Sequence, residues 1–364
     1  MRVLIATNSY PTKKNPTHQV FVKNIYDGLK NRDVQVDVVY NPYFRYFKSD
    51  LRTGTILTSI FKFISLFIAY LPYILYRVRH YDVIYSHAPV LPGFFMLAAQ
   101  WLHGIKHVCY VHGSVNFYLK KRGFLFRIAR YTLHNCSYVV TNSRYMQKRL
   151  ENEYGCSSVI ITPGYNNTVY KYRKTDREID LFFAGSAIQR KGIGLVLEGI
   201  YTYRKFYEKN NLQIKMNFSG GNREHYIKYA NLKNIDSLIQ FGERLTEEEL
   251  VTTYQNSKVV LFPSSEEPLG LVGIEAIACG AIVVGSNSGG IKEFLKHGEN
   301  GYLIKENDIN DLQKNIEKAL NKFPDFEKKQ PSVSNTVKPF SIENGIEQTL
   351  YYFDKILKVS TKIQ

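Results

Sequence analysis

Two patterns of hydrophobic and polar positions alternate along the chain. Short runs rich in Val, Ile and aromatic residues are followed by stretches in which apolar residues recur every three or four positions. The first pattern is typical of buried strands and the second of amphipathic helices. Strands that are separated by helices form βαβ units, in which the strands are parallel. The pattern therefore predicts an α/β protein with parallel sheets.

The strands fall into two consecutive series of about five, which predicts two doubly wound domains. The first series comprises Arg2–Ala6, Val34–Val39, Val83–Tyr85, Lys106–Val111 and Tyr138–Thr141, and the second comprises Leu181–Ala184, Lys215–Phe218, Ile239–Phe241, Val259–Phe262 and Ala281–Gly285. The predicted helices include Val20–Lys30, Arg144–Glu153, Gly194–Tyr207, Glu247–Asn256 and Ile309–Lys322.

The polar stretch Asn166–Glu178 is the predicted boundary, so that the two domains cover residues 1–165 and 175–335. The stretch Phe323–Pro339 is rich in Lys, Ser and Pro and is interpreted as a surface connection. Residues 341–359 then carry apolar side chains at spacings of three and four, which predicts a closing helix. Either domain could bury its apolar face, and we expect it to pack back on the N-terminal one.

Composition and charge narrow the choice of function. Hydrophobic residues make up 44% and charged residues 22% of the 364, which excludes a fibrous or largely disordered chain. The net charge is +16, and residues 1–170 alone hold 21 Lys and Arg against 7 Asp and Glu, a net of +14. Such an excess attracts anionic partners, and a nucleic acid and an acidic membrane surface are the usual ones. The alternative interpretation is that the charge contributes only to solubility.

One segment has the composition of a membrane helix. Thr55–Tyr76 carries a single charge, Lys62, over 22 residues. Ser and Pro residues interrupt it and a strand-like run follows, so burial in the core of the N-terminal domain is the preferred interpretation. A helix that dips into a membrane interface and a true span are the alternatives. The apolar run at the N-terminus is four residues long, too short for a secretory signal.

The densest candidate chemistry lies in Pro263–Gly280 (PSSEEPLGLVGIEAIACG). Glu267 and Glu275 stand eight positions apart, and an apolar helix is predicted to begin after Gly270. A helix N-terminus offers unpaired N–H groups and a positive dipole, which suit a phosphate. Glu275, about one turn into that helix, can accept hydrogen bonds from two hydroxyls. Taken alone, the pattern also fits an ordinary strand–turn–helix with acidic residues near the helix start.

Two further motifs flank this segment. Phe182–Ile200 (FFAGSAIQRKGIGLVLEGI) combines a strand, a glycine loop and Lys-Gly, and Ser286–Ile304 (SNSGGIKEFLKHGENGYLI) has Gly-Gly and Asn-Gly turns. In this order the motifs resemble the retaining, nucleotide-sugar-dependent glycosyltransferases of family four, also called group 1. The N-terminal half resembles them more loosely, through Tyr10-Pro11, Tyr81–His87, Tyr110–Ser114 and Val140–Ser143. The resemblance implies the GT-B architecture, two Rossmann-like domains that face a central cleft.

The resemblance also implies residue roles. Lys191, assisted by Arg190, would contact the donor diphosphate, where a compact cation opposes the charge of the leaving group. Glu267 would hold the hydroxyls of the donor sugar, Glu275 those of the ribose, and His112 would lie beside the sugar. The implied catalytic residues are His112, Lys191 and Glu267, and the implied donor-binding residues are Ser186, Arg190, Lys191, Glu267, Gly270, Leu271, Val272 and Glu275.

The chain departs from the family pattern in two places. Ser186 stands where the family commonly has an arginine that contacts the diphosphate, and Arg190 is the expected compensation. The N-terminal loop reads Asn15-Pro16-Thr17-His18-Gln19, where the family often has adjacent glycines. His18 is a candidate contact on the acceptor side, although it could also contact the donor phosphate.

Neither a metal nor a cofactor is expected, and the co-substrate would be a nucleotide-sugar, with a UDP-sugar preferred. The sequence has no Asp-x-Asp motif, and its four cysteines form no C-x-x-C pair. Kinase and dinucleotide interpretations lack their glycine motifs. A nucleotide-sugar epimerase of the same fold and a non-catalytic membrane- or nucleic-acid-binding protein remain as alternatives, although no nucleic-acid-reading module is recognisable. The oligomeric state is not predicted.

A basic and aromatic segment bears on the acceptor. In Asn116–Arg130 (NFYLKKRGFLFRIAR) basic residues alternate with aromatic ones, as in Tyr43–Arg52. This alternation suits an anionic membrane surface, or else an ordinary amphipathic helix with its charges in solvent. The expected membrane-facing residues are Lys120, Lys121, Arg122, Phe124 and Arg127. Since the resemblance places the acceptor site in the N-terminal domain, we expect a lipid-linked glycan acceptor at the cytoplasmic face of the membrane, in the synthesis of a polysaccharide or glycolipid.

Overall fold

Two six-stranded parallel sheets organise the part of the chain that the computed structural model describes, residues 1–8, 10–11, 20–40, 64–65, 67–113 and 123–361. The sheets belong to two compact units. The first consists of Met1–Gly164 and Ile342–Gln364, and the second of Tyr165–Ser341. The α/β fold class predicted from the sequence is thus confirmed.

The first unit has the strand order β2-β1-β3-β4-β5-β6. Its strands are β1 (Arg2–Thr7), β2 (Gln35–Tyr40), β3 (Val83–His87), β4 (Lys106–Val111), β5 (Tyr138–Thr141) and β6 (Val159–Ile160). Its helices are α1 (Val20–Lys30), α2 (residues 67–72, continued by turns at Tyr73–Arg77 and Val78–His80), α3 (Phe94–His103, after a turn at Pro89–Gly93), α4 (Phe124–Asn135) and α5 (Arg144–Tyr154).

The second unit has the strand order β12-β11-β10-β7-β8-β9. Its strands are β7 (Ile179–Ser186), β8 (Ile214–Ser219), β9 (Ile239–Gly242), β10 (Ser257–Phe262), β11 (Ile282–Ser286) and β12 (Gly301–Ile304). Its helices are α6 (Ile193–Thr202), α7 (Arg204–Lys209), α8 (Arg223–Leu232), α9 (Glu247–Gln255), α10 (Leu271–Ala278), α11 (Ile291–Phe294), α12 (Ile309–Lys328) and α13 (Ser332–Asn335), with single turns at Gln189–Lys191, Asp236–Leu238 and Lys338–Phe340. A final helix, α14 (Ile342–Thr361), returns to the first unit.

Both faces of each sheet are buried, which explains why the strands are apolar almost throughout. In the first unit, alternate strand residues such as Leu4 and Val3 point to opposite faces. One face packs against α2 to α5, and the other packs against α1 and α14, where Ile346 and Phe353 are buried. In the second unit, α6, α8 and α12 cover one face, and α9, α10 and α11 cover the other.

The structure corrects the sequence interpretation at several elements. Each sheet has a sixth strand that was not predicted, β6 in the first and β12 in the second, and β6 is only two residues long, too short to show a periodic pattern. The predicted helix Gly194–Tyr207 is two helices, because the backbone leaves the helical region at Tyr203. Phe323–Pro339 is not merely a surface connection: α12 continues through Pro324, and Phe326, Val333 and Val337 are buried.

The apolar segment Thr55–Tyr76 is buried on only one side in its described part, residues 64–65 and 67–76. Tyr70 and Ile74 enter the core of the first unit, as predicted. Phe67, Ile68 and Tyr76 are instead exposed, contrary to the core interpretation. Among the described residues, no helix has the length and apolar content that a membrane span requires.

Candidate active site

The order of the strands locates a binding edge in the second unit. β7 and β10 lie side by side, and from them the chain proceeds outward in opposite directions, through β8 and β9 on one side and β11 and β12 on the other. In a parallel sheet the loops beyond the carboxyl ends of two such strands diverge and leave a crevice, where ligands of α/β proteins commonly bind. The loops that follow β7 and β10 contain Lys191 and Glu267.

An ion pair joins these two loops. Lys191 Nζ lies 2.7 Å from Glu267 Oε2, and the two side chains are only 15% and 13% exposed. Ser264 Oγ donates a hydrogen bond to the same carboxylate oxygen at 2.7 Å, and Arg190 approaches it at 3.7 Å. A carboxylate with so little access to water requires such partners. The structure therefore brings together the implied diphosphate and sugar residues, Lys191 and Glu267.

Backbone contacts fix the geometry of this pair. The Ser265 N–H donates to the Arg190 carbonyl at 2.8 Å, which ties the loop after β10 to the loop after β7. Gly192 has φ +77°, and a Cβ at this position would lie 2.3 Å from the Pro263 carbonyl oxygen. Only glycine allows the two loops to approach this closely.

The Gly-Gly motif of the loop after β11, Gly289-Gly290, packs against the backbone of Glu267. The Gly290 N–H donates to the Glu267 carbonyl at 2.8 Å. A Cβ on Gly289 would lie 2.4 Å from that carbonyl oxygen, and one on Gly290 would lie 2.2 Å from the Pro268 carbonyl oxygen. The loop after β11 is thus packed directly on the backbone that carries Glu267, which explains why the three sequence motifs occur together.

Helix α10 begins beside the ion pair. The backbone N–H groups of Leu271 and Val272 lie in its first turn, where no intrahelical carbonyl is available to them. Gly270 precedes the helix with φ +104°, and its Cα faces the rings of Phe262 and Phe294. Tight internal packing therefore requires this glycine, in addition to any close approach of a ligand.

The two glutamates of the motif have opposite electrostatic environments. Burial tends to raise the pKa of Glu267, but Lys191, Ser264 and Arg190 outweigh it, and the pKa is held below its usual range. Burial, together with the nearby Glu247, raises the pKa of Glu275 to about 8. The first carboxyl is thus kept ionised, whereas the second favours its protonated form at neutral pH.

The side chain at the family arginine position lies at the end of β7. Ser186 is exposed and pairs in register with Ser219 of β8. Arg190 is half-exposed, and its guanidinium is directed toward Glu267. With a serine at position 186, the cations of this loop that contact Glu267 are Lys191 and Arg190.

The first unit presents a second group of polar residues at the end of its sheet. His87 ends β3 and His112 follows β4, and His87 Nδ1 lies 2.7 Å from His112 Nε2. Burial lowers the pKa of His87 to about 3. Burial and the neighbouring His87 lower the pKa of His112 well below its usual value. Both imidazoles are therefore neutral at physiological pH.

Other predicted residues are not part of these two groups. Phe124 and Arg127 are exposed on α4. His18, Lys120, Lys121 and Arg122 lie outside the described residues, as does the basic segment Tyr43–Arg52.

Sequence reasoning missed two contributors. Ser264 was part of the quoted motif, but only the structure shows that its hydroxyl contacts Glu267. His87 was part of the YDVIYSH run, and its position two residues beyond the predicted strand Val83–Tyr85 was the available signal. Its partner His112 is 25 residues away, so that their contact was not apparent from spacing.

Two family models together match most of the chain. The model of the Glycosyl transferases group 1 matches residues 166–332, and the model of Glycosyltransferase Family 4 matches residues 18–168. An uncharacterized glycosyltransferase of Methanocaldococcus jannaschii is 26% identical over 246 residues, which are 66% of this chain and 66% of that protein. The match thus spans just under two thirds of this relative.

Solved structures resemble the whole chain. Sucrose-phosphate synthase from Thermosynechococcus elongatus has a TM-score of 0.80 at 17% identity, covering 99% of this chain and 100% of that one. Anabaena HepE in complex with UDP and glucose has a TM-score of 0.69 at 15% identity, covering 96% and 98%. At these identities the likeness shows the fold alone. Together with the family models, it confirms the resemblance inferred from the motifs.

The raised pKa of Glu275 predicts a pH-dependent stability. A carboxyl with a pKa of about 8 in the folded protein, against an ordinary value of 4.5, binds its proton more strongly when folded. Its contribution to stability is therefore complete below about pH 4.5 and is lost progressively as the pH rises from there to about 8. Relative to Glu275→Gln, the free energy of unfolding of the wild type should fall by about 2 kcal/mol between pH 5.5 and 7.5.

Urea unfolding of both proteins across this range measures the difference. Glu299→Gln, at an exposed position, controls for the loss of a surface carboxylate. If wild type and Glu275→Gln respond identically to pH, Glu275 is not held in a protonated state.

Proposed function

The chain belongs to the group 1 glycosyltransferases and has their GT-B fold, and we propose that it transfers a sugar from a nucleotide-sugar to a glycan acceptor with retention of anomeric configuration. The observation that carries this proposal is the Lys191–Glu267 ion pair at the diverging loops of β7 and β10, beside the first turn of α10. This arrangement supplies a cation, a carboxylate and free N–H groups within one small region.

Lys191 acts on the diphosphate in this proposal. Before donor binds, its ammonium is paired with Glu267. The diphosphate provides a second anion, and Lys191 together with Arg190 and the first turn of α10 stabilises the negative charge that grows as the bond to the anomeric carbon breaks. These groups supply the positive charge that a divalent cation would otherwise provide, so the proposed reaction is metal-independent.

The two glutamates hold different hydroxyls. Glu267 is ionised, so it accepts hydrogen bonds from the hydroxyls of the sugar that is transferred. Glu275 lies one turn into α10, where it binds the ribose hydroxyls. The acceptor hydroxyl forms its bond to the anomeric carbon on the face that the diphosphate leaves, so the configuration is retained, and its proton passes to the departing diphosphate. His112, in the first unit, contacts a sugar substrate in this scheme.

A UDP-sugar is the preferred donor. This preference draws support from Anabaena HepE, whose structure was determined with UDP and glucose. The same fold also accommodates other nucleotides, so the base must be measured.

The acceptor is proposed to be lipid-linked, because the first unit exposes an apolar and basic surface. Trp101, which is 58% exposed, contacts Tyr131 of α4 with ring centroids 6.2 Å apart, and Leu102 is exposed beside it. Arg127 and Arg130 are exposed on the same helix as Tyr131. We call the surface formed by Trp101, Leu102, Phe124, Arg127, Arg130 and Tyr131 the α3–α4 surface.

Aromatic rings and guanidinium groups side by side suit the headgroup level of an anionic membrane. The net charge of +14 over residues 1–170 adds long-range attraction to such a surface. We therefore place the protein on the cytoplasmic face of the membrane, where it glycosylates a lipid-linked precursor of a surface polysaccharide or glycolipid.

Lys191→Ala should reduce turnover by on the order of 100-fold, because the departing diphosphate loses its main cation. Sugar transfer from a radiolabelled UDP-sugar to extracted lipid acceptors measures the rate. Lys258→Ala is the matched control, since Lys258 pairs with Asp180 at 2.7 Å on the same two strands, β10 and β7, but at their opposite ends. Wild-type turnover by Lys191→Ala would contradict the assignment.

Calorimetry with UDP and GDP should separate the two glutamates. Glu275→Ala is expected to weaken nucleotide binding by about 0.5–1.5 kcal/mol, because the ribose hydroxyls lose the hydrogen bonds of a carboxyl that is mainly protonated at neutral pH. Glu267→Ala should leave the affinity for the free nucleotide nearly unchanged and reduce turnover instead. The preferred base is the one bound more tightly by the wild type. If Glu267→Ala lost affinity for both UDP and GDP while Glu275→Ala did not, the roles of the two glutamates would be reversed.

Vesicle flotation tests the α3–α4 surface. Binding should rise with the content of anionic lipid and fall with salt. Arg127→Glu with Arg130→Glu should reduce it by about 10-fold or more, and Trp101→Ser with Leu102→Ser should also reduce it. Leu232→Ser with Tyr201→Ser, at exposed apolar positions in the second unit, is the control. If both α3–α4 variants float like the wild type, a soluble acceptor is favoured.

A further inference from the structure

The histidine pair of the first unit contains a residue to which the proposed function gives no role. His87 is the last residue of β3 and is 3% exposed, whereas His112 follows the neighbouring strand β4 and is half-buried. Their rings are nearly parallel, with centroids 5.0 Å apart and an interplanar angle of 9°. The distance of 2.7 Å between His87 Nδ1 and His112 Nε2 is that of a hydrogen bond.

Aromatic rings hold both imidazoles in place. His87 lies beside Tyr85, with centroids 4.7 Å apart. His112 is stacked on Tyr110 at 3.8 Å and lies 4.3 Å from Phe21. Asn142 donates to the His112 carbonyl at 3.2 Å, which fixes the backbone as well. The geometry of the pair is thus determined by the surrounding fold.

The hydrogen bond can be formed in two ways. Both rings are neutral, because burial lowers the pKa of each. A neutral imidazole carries one N–H, so one histidine must donate and the other must accept. If His87 donates through Nδ1, His112 accepts at Nε2 and must carry its own proton on Nδ1. If His112 donates through Nε2, His87 accepts at Nδ1 and must carry its own proton on Nε2.

The surroundings of His87 Nε2 distinguish the two arrangements. This atom is buried and has no hydrogen-bond partner among the described residues. If His112 donated, His87 would have to carry its proton on Nε2, as a buried N–H without an acceptor. Orphaned N–H groups are rarer in protein interiors than unpaired acceptors. The arrangement in which His87 Nδ1–H donates to His112 Nε2 avoids such a group.

We propose that His87 is a positioning residue that donates Nδ1–H to His112 Nε2, holds His112 in its Nδ1–H tautomer and directs that N–H to an oxygen of a sugar substrate. The last step rests on the proposed function, since it requires a sugar substrate at His112. The tautomer itself does not depend on that function.

Nitrogen-15 NMR of protein labelled at histidine tests the tautomer directly, in the wild type and without substrate. We expect the His112 Nδ1 resonance to be that of a protonated nitrogen and the Nε2 resonance to be that of an acceptor. His112→Gln assigns the signals. A wild type in which His112 carries its proton on Nε2 overturns the proposal, whatever the enzyme proves to transfer.

Two variants test the consequence. His87→Phe keeps a ring but removes the donor, and it should lower kcat/KM for the nucleotide-sugar by about 10-fold while the Kd for free nucleotide is unchanged. His87→Asn places an amide N–H close to the former Nδ1 and should restore most of the rate and the tautomer. Equal activity and an unchanged His112 spectrum in His87→Phe overturn the proposal.

His107→Phe is the matched control. His107 lies on β4, is fully buried, and has a similar bond, 2.7 Å from Nε2 to Ser86 Oγ. Its replacement should affect stability but not the His112 tautomer or the ratio of kcat/KM to nucleotide affinity. If His112→Ala retains wild-type transfer while the wild-type tautomer is as expected, the role of His112 in the proposed function fails and the positioning by His87 stands.

Discussion

The ion pair between Lys191 and Glu267 is the interaction on which the architecture of the second unit's site depends. It joins loops that are 76 residues apart in sequence, and both side chains are largely withdrawn from water. A carboxylate in such a place is tolerated only with its partners present. The close contacts of Gly192 with Pro263 and of Gly289 with Glu267 follow from this requirement, because they bring three loops to one point.

The same motif holds two carboxyls in opposite protonation states. Lys191 and Ser264 keep Glu267 ionised, whereas burial beside Glu247 raises the pKa of Glu275 to about 8. A pair of acidic groups whose environments separate their pKa values is typical of sites that assign them different tasks. Spacing along the sequence could not reveal this difference, since both residues occur near the same helix start.

Elements whose bounds depend on local periodicity could be predicted from the sequence. Contacts that depend on the packing of distant segments could not. The bounds of Val20–Lys30 and Lys106–Val111 agree with the structure, because their apolar residues repeat clearly. The two-residue strand β6 has no period to detect. The motif around Glu267 was recognisable, but its contact with Ser264 and the contact of His87 with His112 depend on loop conformation and strand order. The burial of α2 was predicted wrongly on its exposed side. A segment that is apolar on all sides gives no sign of which face packs against the core.

Strand order explains why the polar groups occur where they do in both units. In each sheet the chain proceeds outward in two directions from a central pair of strands, β1 and β3 in the first unit and β7 and β10 in the second. Side chains beyond the carboxyl ends of these strands are not covered by a crossover helix, so the fold itself leaves room there for a ligand. His87 ends β3, and Lys191 and Glu267 follow β7 and β10. In each unit a group of buried polar contacts therefore lies at a sheet edge that the fold leaves open to a ligand.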